Sequence, residues 1–327
     1  MRVLFASLAS PGHAYPLVPL AVAAREAGHE VHFAVGEAVH EDLAVHGLRP
    51  FRPADSFYEI YAEDLEPELA RLRPDLVVHE WGLPGAAVAA VRAGIPGLWH
   101  GFGRLVPEGI GFEPPVRVAA VPHLDICPPS LQDPDFLATA ERIELRPVPY
   151  PSTAVWERSA RPLVYLTFGT AFGTAELLST AVAGLSGLGA DVVVALGRVP
   201  PGELARVPEG VTVRAWVPQV AVLARADLVV HHGGSGTTLG ALAAGVPQLV
   251  LPQGADQFAN AGALVAAGAA ARLDPASVTA DAITDHARTL LAPGPHRDAA
   301  RGLAAEIARM PSPAEVAARL PALAGRA

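Results

Sequence analysis

A stretch of glycine, histidine and hydroxyl residues between Trp216 and Gln257 carries the densest set of chemically active groups in this 327-residue sequence. Its centre is a short apolar run, typical of a buried strand, that continues into His231-His232-Gly233-Gly234-Ser235-Gly236-Thr237. Glycines allow a tight turn after such a strand, and the residues from Thr237 to Ala244 predict a helix that Gly245 and Pro247 end. A turn of this kind presents unpaired N–H groups and the positive end of a helix dipole, which favours binding of a diphosphate.

The residues around that turn can supply the other contacts that a nucleotide-sugar needs. A histidine at the end of the strand adds a hydrogen-bond donor, and Trp216 offers a flat face for a base. Asp256 and Gln257 can form hydrogen bonds with sugar hydroxyls. The cluster therefore predicts a nucleotide-sugar site.

The composition excludes several other functions. The net charge of −9 argues against a nucleic-acid partner or an anionic membrane surface. All 24 basic residues are arginine, which excludes a P-loop lysine and a lysine Schiff base to pyridoxal phosphate. The single cysteine, Cys127, permits no internal disulfide and no cysteine metal cage, and it is consistent with a cytoplasmic location.

Two apolar stretches resemble membrane or targeting segments. The run from Val3 to Ala9 is too short for a signal peptide and meets Pro11-Gly12 at once. The stretch from Leu177 to Gly197 is divided by Asp191 and by Gly-Ser interruptions into a helix and a strand. We therefore predict no stable membrane insertion.

Alternating strands and helices predict an α/β protein with two Rossmann-like domains, a cleft between them and a C-terminal helix that crosses back to the first domain. The predicted boundaries are residues 1–148, a proline-rich linker at 149–162, residues 163–310 and a terminal helix within 311–327. The predicted strands are Val3–Ala9, Glu30–Val35, Asp75–His79, Pro96–His100, Leu163–Leu166, Val192–Leu196 and Leu228–His231. The predicted helices are Pro16–Ala27, Gly85–Ala93, Thr237–Ala244 and Ala314–Leu323.

The stretch from Trp216 to Gln257 resembles the donor-binding signature of family 1 glycosyltransferases with the GT-B fold. It is most similar to actinobacterial enzymes that decorate antibiotics and macrolides. Supporting segments lie along most of the chain: Gly12-His13-Ala14-Tyr15-Pro16-Leu17-Val18-Pro19-Leu20, Pro74-Asp75-Leu76-Val77-Val78-His79-Glu80, Leu124-Asp125-Ile126-Cys127-Pro128-Pro129-Ser130-Leu131-Gln132 and Met310-Pro311-Ser312-Pro313. The individual motifs are weak, but their combination is specific.

The resemblance implies a role for each residue of the donor site. Trp216 stacks on the base while the Val217 backbone reads its edge, and His231 holds the diphosphate. Asp256 and Gln257 face the sugar. Plant relatives that use UDP-sugars have a ribose-binding glutamate eight residues after the phosphate histidine, where this chain has Leu239, so we predict a dTDP-sugar ahead of a UDP-sugar. The full donor set is Gly169, Thr170, Trp216, Val217, Gln219, His231, Gly233, Gly234, Ser235, Gly236, Thr237, Asp256 and Gln257.

The resemblance also implies an inverting, metal-independent reaction that needs no cofactor, since the nucleotide-sugar is a co-substrate. His13 is the expected general base, and Glu80 takes the place of the carboxylate that orients it. The acceptor is then a hydroxyl of a small hydrophobic aglycone, and the expected assembly is a monomer or homodimer. The predicted acceptor-binding residues are Gly12, Tyr15, Trp81 and Phe102.

Two other functions stay open on the sequence. The first domain is short in the ranges 51–73 and 104–120, where relatives have longer acceptor-binding segments, and this favours a weakly active homologue that binds nucleotide-sugar and assists another transferase. The residues around Ser235 also imitate the nucleophile elbow of hydrolases, with Asp256 and His286 in a suitable order for an esterase. Asp133-Pro134-Asp135 spells a metal-binding DxD motif but predicts a turn, and no G-x-G-x-x-G follows the first strand.

Overall fold

The computed structural model of the chain describes residues 1–105, 121–157, 160–204 and 207–325. These residues form two compact units. Unit 1 contains Met1–Tyr150 together with the C-terminal segment that begins at Arg309, and unit 2 contains Pro151–Ala308. Each unit is built around one parallel sheet.

The sheet of unit 1 has seven strands. They are β1 (Arg2–Ala6), β2 (Glu30–Ala34), β3 (Pro50–Phe51), β4 (Leu76–Glu80), β5 (Gly97–His100), β6 (His123–Asp125) and β7 (Arg142–Glu144). Their order is β3-β2-β1-β4-β5-β6-β7, and every pairing is parallel. The central strands are apolar along nearly their whole length because helices cover both faces of such a sheet.

The helices of unit 1 are α1 (Pro11–Ala14), α2 (Val18–Glu26), α3 (His40–Ala44), α4 (Ala62–Leu72), α5 (Pro84–Arg92) and α6 (Pro134–Thr139). Unit 2 contains strands β8 (Leu163–Thr167), β9 (Asp191–Ala195), β10 (Val211–Arg214), β11 (Leu228–His231), β12 (Gln248–Val250) and β13 (Ala270–Arg272). Its helices are α7 (Ala175–Leu185), α8 (Gln219–Leu223), α9 (Ser235–Ala243), α10 (Gln257–Ala266), α11 (Ala280–Leu291) and α12 (Pro295–Arg309).

The last helix, α13 (Pro313–Ala324), returns to unit 1 and packs against α2. It begins with a capping box, in which the Ser312 side chain accepts from the Glu315 N–H and the Glu315 carboxylate accepts from the Ser312 N–H. The Arg146 N–H also donates to the Pro311 carbonyl at 2.7 Å. These contacts fix the C-terminal helix to the first unit.

The strand order of unit 2, β10-β9-β8-β11-β12-β13, is that of a Rossmann sheet. The order reverses between β8 and β11, and the same reversal lies between β1 and β4 in unit 1. Ligands of open α/β sheets bind beyond the carboxyl ends of the strands at such a reversal. In each unit, a binding or catalytic site is therefore expected at the carboxyl ends of the two strands that flank the reversal.

The stretch between β3 and β4, to which the sequence analysis assigned no element, contains α4, whose buried residues Ala62, Leu65, Leu69 and Leu72 follow helical spacing. One local prediction from the sequence was wrong. Asp133 does not mark a turn, since it is the N-cap of α6 and its side chain accepts from the Asp135 and Phe136 N–H groups. The helix predicted over Pro16–Ala27 is confirmed as α2 (Val18–Glu26), which a 3-10 turn over Tyr15–Leu17 precedes. The second short stretch, 104–120, lies largely outside the described residues.

Candidate functional site

The glycine turn of unit 2 leaves the end of β11 and enters α9. Gly233 has φ +95°, which only glycine adopts readily, and Gly234 is the N-cap of α9. No side chain caps this helix, and its first turn carries no acidic residue. The start of α9 therefore keeps its N–H groups and its positive dipole end available for an anion.

His231 is held inside the unit by contacts of its ring. Its side chain is fully buried, and Nε2–H donates to Gln248 Oε1 at 2.7 Å. Its other nitrogen, Nδ1, accepts from the Gly233 N–H at 3.1 Å. Both ring nitrogens are thus engaged within the unit, and this histidine stabilises the turn. Its role in holding the diphosphate stays a prediction.

His232 is the imidazole that lies between the two loops at the sheet reversal. A Cβ placed on Gly169 would lie 2.7 Å from its Cε1, and one on Gly234 would lie 2.5 Å from its Nε2. The ring stacks on Phe172 with centroids 6.3 Å apart, and its Nδ1 has no hydrogen-bond partner among the described residues. Burial lowers the pKa of His232 to about 4, against an opposing contribution from the Thr167 carbonyl.

A buried asparagine connects the turn to the Asp256-Gln257 pair. Asn260 Nδ2 donates to the Gly233 carbonyl at 2.9 Å and to Asp256 Oδ2 at 2.9 Å, and the Ser235 hydroxyl donates to the same carboxylate oxygen at 3.0 Å. Gln257 is buried, and its Oε1 accepts from the backbone N–H groups of Gln253 and Gly254. The structure thus brings Asp256 and Gln257 to the turn, where they also fix its shape.

The remaining donor residues lie on neighbouring loops of unit 2. Trp216, between β10 and α8, is 55% exposed and is not a core residue. Val217 beside it is buried, and Gln219 Nε2 donates to the Thr237 hydroxyl at 2.9 Å, which joins α8 to α9. Thr170 is exposed on the loop after β8, next to Gly169, which has φ +67°.

The site of unit 1 contains His13 and Glu80. His13 lies on α1 just after β1, and Glu80 is the last residue of β4, so both lie at the carboxyl edge of the reversal between those strands. His13 Nδ1 is 3.3 Å from Glu80 Oε1, although the ring is not oriented for a hydrogen bond. The His13 side chain is 24% exposed and that of Glu80 only 2%.

Backbone groups hold the Glu80 carboxylate in place. The Gly82 N–H donates to its Oε2 at 2.8 Å, and the Leu8 N–H donates to its Oε1 at 3.3 Å. The charged oxygen that faces His13 is therefore fixed by the loops after two strands. His79, its neighbour in β4, is buried and stacks on Trp99, as the alternation of side chains along a strand requires.

The four predicted acceptor residues occupy different surroundings. Gly12 is exposed and Trp81 is half-buried next to Glu80. Phe102 stacks on the His13 ring with centroids 5.0 Å apart. Tyr15 donates to Asp42 Oδ2 at 2.8 Å and stacks on Tyr150, so it ties α1 to α3 and to the end of the unit.

Sequence reasoning missed three residues that shape these sites. Gln248 fixes His231, Asn260 fixes the Gly233 turn, and Gln132 bonds the segment that carries Phe102. Each is a polar residue that is almost fully buried, but a single sequence does not show which polar residues are buried. The only signal was that Gln132 lies within a quoted motif, since Gln248 begins β12 and Asn260 lies inside α10.

Five histidines are buried without charge. Burial is the largest cause that lowers their pKa values, to about 4 for His79, His100 and His232 and to about 3 for His123 and His231. Each folded pKa is below the ordinary value of 6.5, so the unfolded chain binds more protons between about pH 6.5 and 4. Acid therefore destabilises the fold in that window.

We expect the free energy of unfolding to fall as the pH decreases below 6.5, by up to about 1.4 kcal/mol per pH unit for each of these histidines. His123 has the lowest pKa of the three buried histidines of unit 1. Replacing it by glutamine removes one such group, so the slope of the unfolding free energy against pH should decrease by up to about 1.4 kcal/mol per pH unit. Urea unfolding of both proteins between pH 7.5 and 4.5 measures the two slopes. Equal slopes would contradict the assignment.

Comparison with known proteins places the chain in a family. Residues 179–323 match the model described as "Erythromycin biosynthesis protein CIII-like, C-terminal domain". The chain is 33% identical to the L-demethylnoviosyl transferase of Streptomyces niveus, with 98% of each chain covered. It is 34% identical to the elloramycin glycosyltransferase ElmGT of Streptomyces olivaceus, covering 98% of this chain and 97% of that one. The chain belongs to the actinobacterial antibiotic glycosyltransferases. It is an enzyme that acts on natural-product aglycones.

A solved antibiotic glycosyltransferase confirms the predicted GT-B fold. The structure of SsfS6 from Streptomyces sp. SF2575, complexed with thymidine diphosphate, superposes with a TM-score of 0.79 at 27% identity and covers 98% of this chain and 99% of that one. The alignment with the Streptomyces niveus transferase runs over 378 positions, whereas the chain has 327 residues, so this glycosyltransferase lacks internal segments of its relative.

Membership in this glycosyltransferase family excludes the esterase hypothesis. The contacts around Ser235 agree, because its hydroxyl donates to Asp256 while His286 bonds the Ala282 carbonyl within α11. Within the described ranges, no helix is long and apolar enough to span a bilayer, and no cluster of three or more His, Cys, Asp or Glu residues is arranged to hold a metal ion.

Proposed function

We propose that this glycosyltransferase moves a sugar or deoxysugar from a dTDP- or UDP-sugar to a hydroxyl of a hydrophobic aglycone, with inversion and without a metal ion. The observation that carries the proposal is the His13–Glu80 pair at the carboxyl edge of the unit 1 sheet. An imidazole with one nitrogen beside a fixed carboxylate and part of its ring exposed is suited to remove a proton from a hydroxyl.

Glu80 gives His13 a defined role in that step. A carboxylate beside Nδ1 favours the tautomer with its proton on that nitrogen, which leaves Nε2 to accept the proton of the acceptor hydroxyl. The acceptor oxygen then attacks the anomeric carbon from the face opposite to the diphosphate. The C–O bond to the diphosphate breaks as the new one forms, through an oxocarbenium-like transition state, and a single displacement inverts the anomeric centre.

The leaving diphosphate gains negative charge, and unit 2 supplies the groups to stabilise it. These are the N–H groups at the start of α9, the dipole of that helix and the imidazole of His232. His231, Gln248 and Asn260 hold the turn in its shape before any ligand binds. No step in this mechanism uses a metal ion.

We propose dTDP as the preferred nucleotide. The relative SsfS6 binds thymidine diphosphate, and the apolar Leu239 offers no carboxylate to bond two ribose hydroxyls. Calorimetric titration of the purified protein with dTDP and then with UDP tests this choice. Tighter binding of dTDP supports it, equal or tighter binding of UDP contradicts it, and no heat with either removes the nucleotide-sugar site.

Replacing Trp216 by alanine should weaken dTDP binding by about 1–3 kcal/mol, the contribution of one base stacked on an aromatic ring. The side chain is 55% exposed, so its loss should leave the fold intact. Calorimetry measures the change in Kd, and the exposed Phe57→Ala in unit 1 is the matched control. An unchanged Kd for Trp216→Ala would show that the base binds elsewhere.

The segments that this chain lacks relative to the Streptomyces niveus transferase favour a second candidate, a catalytically weak homologue that binds nucleotide-sugar and assists another transferase. Incubation with a dTDP-sugar and a panel of polyketide aglycones separates the two. Product formation supports the enzyme of our proposal, whereas donor binding without product from any aglycone supports the accessory role. We further propose that the protein works in the cytoplasm as a monomer or homodimer and needs no resident cofactor.

A further inference from the structure

The motif Leu124–Gln132 has no place in the mechanism described so far, yet it forms a dense buried network. Asp125, at the end of β6, is fully buried. Its Oδ1 accepts from the Cys127 N–H and from Gln132 Nε2, both at 2.9 Å, and its Oδ2 accepts from Arg142 Nε at 3.0 Å. This carboxylate therefore fixes the orientation of the Gln132 side chain.

Gln132 in turn holds the loop that follows β5. Its Oε1 accepts from the Leu105 N–H at 2.8 Å, and the next residue, Asp133, forms an ion pair with Arg104 at 3.2 Å. At the other end of the loop, the Gly101 N–H donates to the Leu124 carbonyl at 2.7 Å. A side chain at Gly101 would lie 2.7 Å from His123 Nε2, so the backbone approaches β6 as closely as glycine allows.

Phe102 lies between these two anchors, and its ring covers one face of the His13 imidazole. The ring centroids are 5.0 Å apart and the planes differ by 21°. Glu80 touches the edge of the same imidazole at Nδ1, but without the orientation of a hydrogen bond. The contact at the edge alone does not fix the plane of the ring, and the stacked phenyl group supplies that restraint.

We propose that Phe102 is a positioning residue for the His13 base, and that Asp125 and Gln132 hold Phe102 in place. The inference rests on the proposed role of His13. It assigns Phe102 a different task from the contact with acceptor that the sequence suggested. A small displacement of a catalytic group lowers the rate strongly, so loss of the phenyl ring acts on kcat more than on binding.

The first test compares Phe102→Leu with Phe102→Tyr, which keeps the aromatic face. We expect Phe102→Leu to lower kcat by about 10- to 100-fold with little change in the acceptor KM, and Phe102→Tyr to retain most of the activity. Phe136→Leu is the matched control, because Phe136 packs edge-on against His123 in the same unit. A rise in acceptor KM with kcat unchanged would overturn the proposal and make Phe102 an acceptor contact.

The second test is independent of activity. A stacked phenyl ring shifts the Cε1–H proton resonance of His13 in the NMR spectrum, and the resonance is assigned by its loss in His13→Ala. It should move in Phe102→Leu and also in Gln132→Leu, but not in Phe136→Leu. A resonance that stays in place in Phe102→Leu overturns the proposal. If His13→Ala keeps its turnover, the base itself is wrong, and the NMR result then describes packing alone.

Discussion

Replacing His13 by alanine is expected to lower kcat by about 10²–10⁴-fold, the usual contribution of a general base. The change removes the partly exposed imidazole beside Glu80 in unit 1 and leaves the residues of the proposed diphosphate site in unit 2 unaltered. The Kd for dTDP should therefore stay unchanged. Steady-state kinetics with a dTDP-sugar and an accepted aglycone, together with calorimetry of dTDP, measure the two effects.

His29→Ala is the matched control for this experiment. His29 lies immediately before β2, at the amino edge of the same sheet, whereas His13 lies at the carboxyl edge. Turnover should be unaffected in the control. Glu80→Gln keeps the size of the side chain but removes its charge, and we expect it to lower kcat by a smaller factor than His13→Ala. Retained turnover in His13→Ala would refute the role of the base.

The central strands of both sheets could be predicted because their chemistry is uniform. Strands β1, β4, β8 and β11 are buried on both faces, so each contains an uninterrupted apolar run, with polar residues only at one end of the strand. Edge strands give no such signal. β3 has two residues and β10 alternates partly buried with exposed positions, so only pairing with a neighbour defines them.

Helix α4 is an element that the sequence analysis left unassigned. Its buried residues are spaced for a helix, but Pro67 and several charged residues lie among them. Proline is tolerated here because the helix packs closely against α5, which lies on the same face of unit 1. Packing outweighed local propensity, and a single sequence does not contain that information.

The adjacent histidines at the end of β11 show why the site was harder to predict than the fold. Their side chains point to opposite sides of the strand, and nothing in the pair itself tells which one faces inward. Which histidine points inward depends on Gln248 of β12. In the pairing of β12 with β11, Gln248 lies beside Val229. The glutamine reaches His231, two residues further along the same face, and this leaves His232 at the loop.

In each unit one imidazole lies beside a group that the fold holds rigidly, partly exposed for His13 and buried for His232. In unit 1 the Glu80 carboxylate, fixed by two backbone N–H groups, lies behind His13. In unit 2 the Gly233 turn, held by His231 and Asn260, lies beside His232. The same strand reversal produces both arrangements, so the fold supplies two positions of similar geometry and the side chains determine their separate chemistry.

The second large effect is expected at Gly234, where alanine should weaken dTDP binding by at least about 10-fold. Gly234 has φ −63° and ψ 140°, which any residue adopts, so backbone strain does not contribute. The added methyl group would lie 2.5 Å from His232 Nε2 and 2.9 Å from its Cε1. Either the imidazole or the turn must move, and overpacking of this kind costs about 1–3 kcal/mol. Calorimetry of dTDP measures the loss.

Two further variants separate displacement of His232 from a general loss of stability. Gly262→Ala adds a methyl group to open space on α10 of the same unit and should bind dTDP normally. In the double variant Gly234→Ala/His232→Ala the clash is gone, so thermal stability should recover while dTDP affinity stays low, because the proposed donor is also missing. If affinity recovered together with stability, His232 would have no part in binding the diphosphate, and the backbone of the turn would hold it alone.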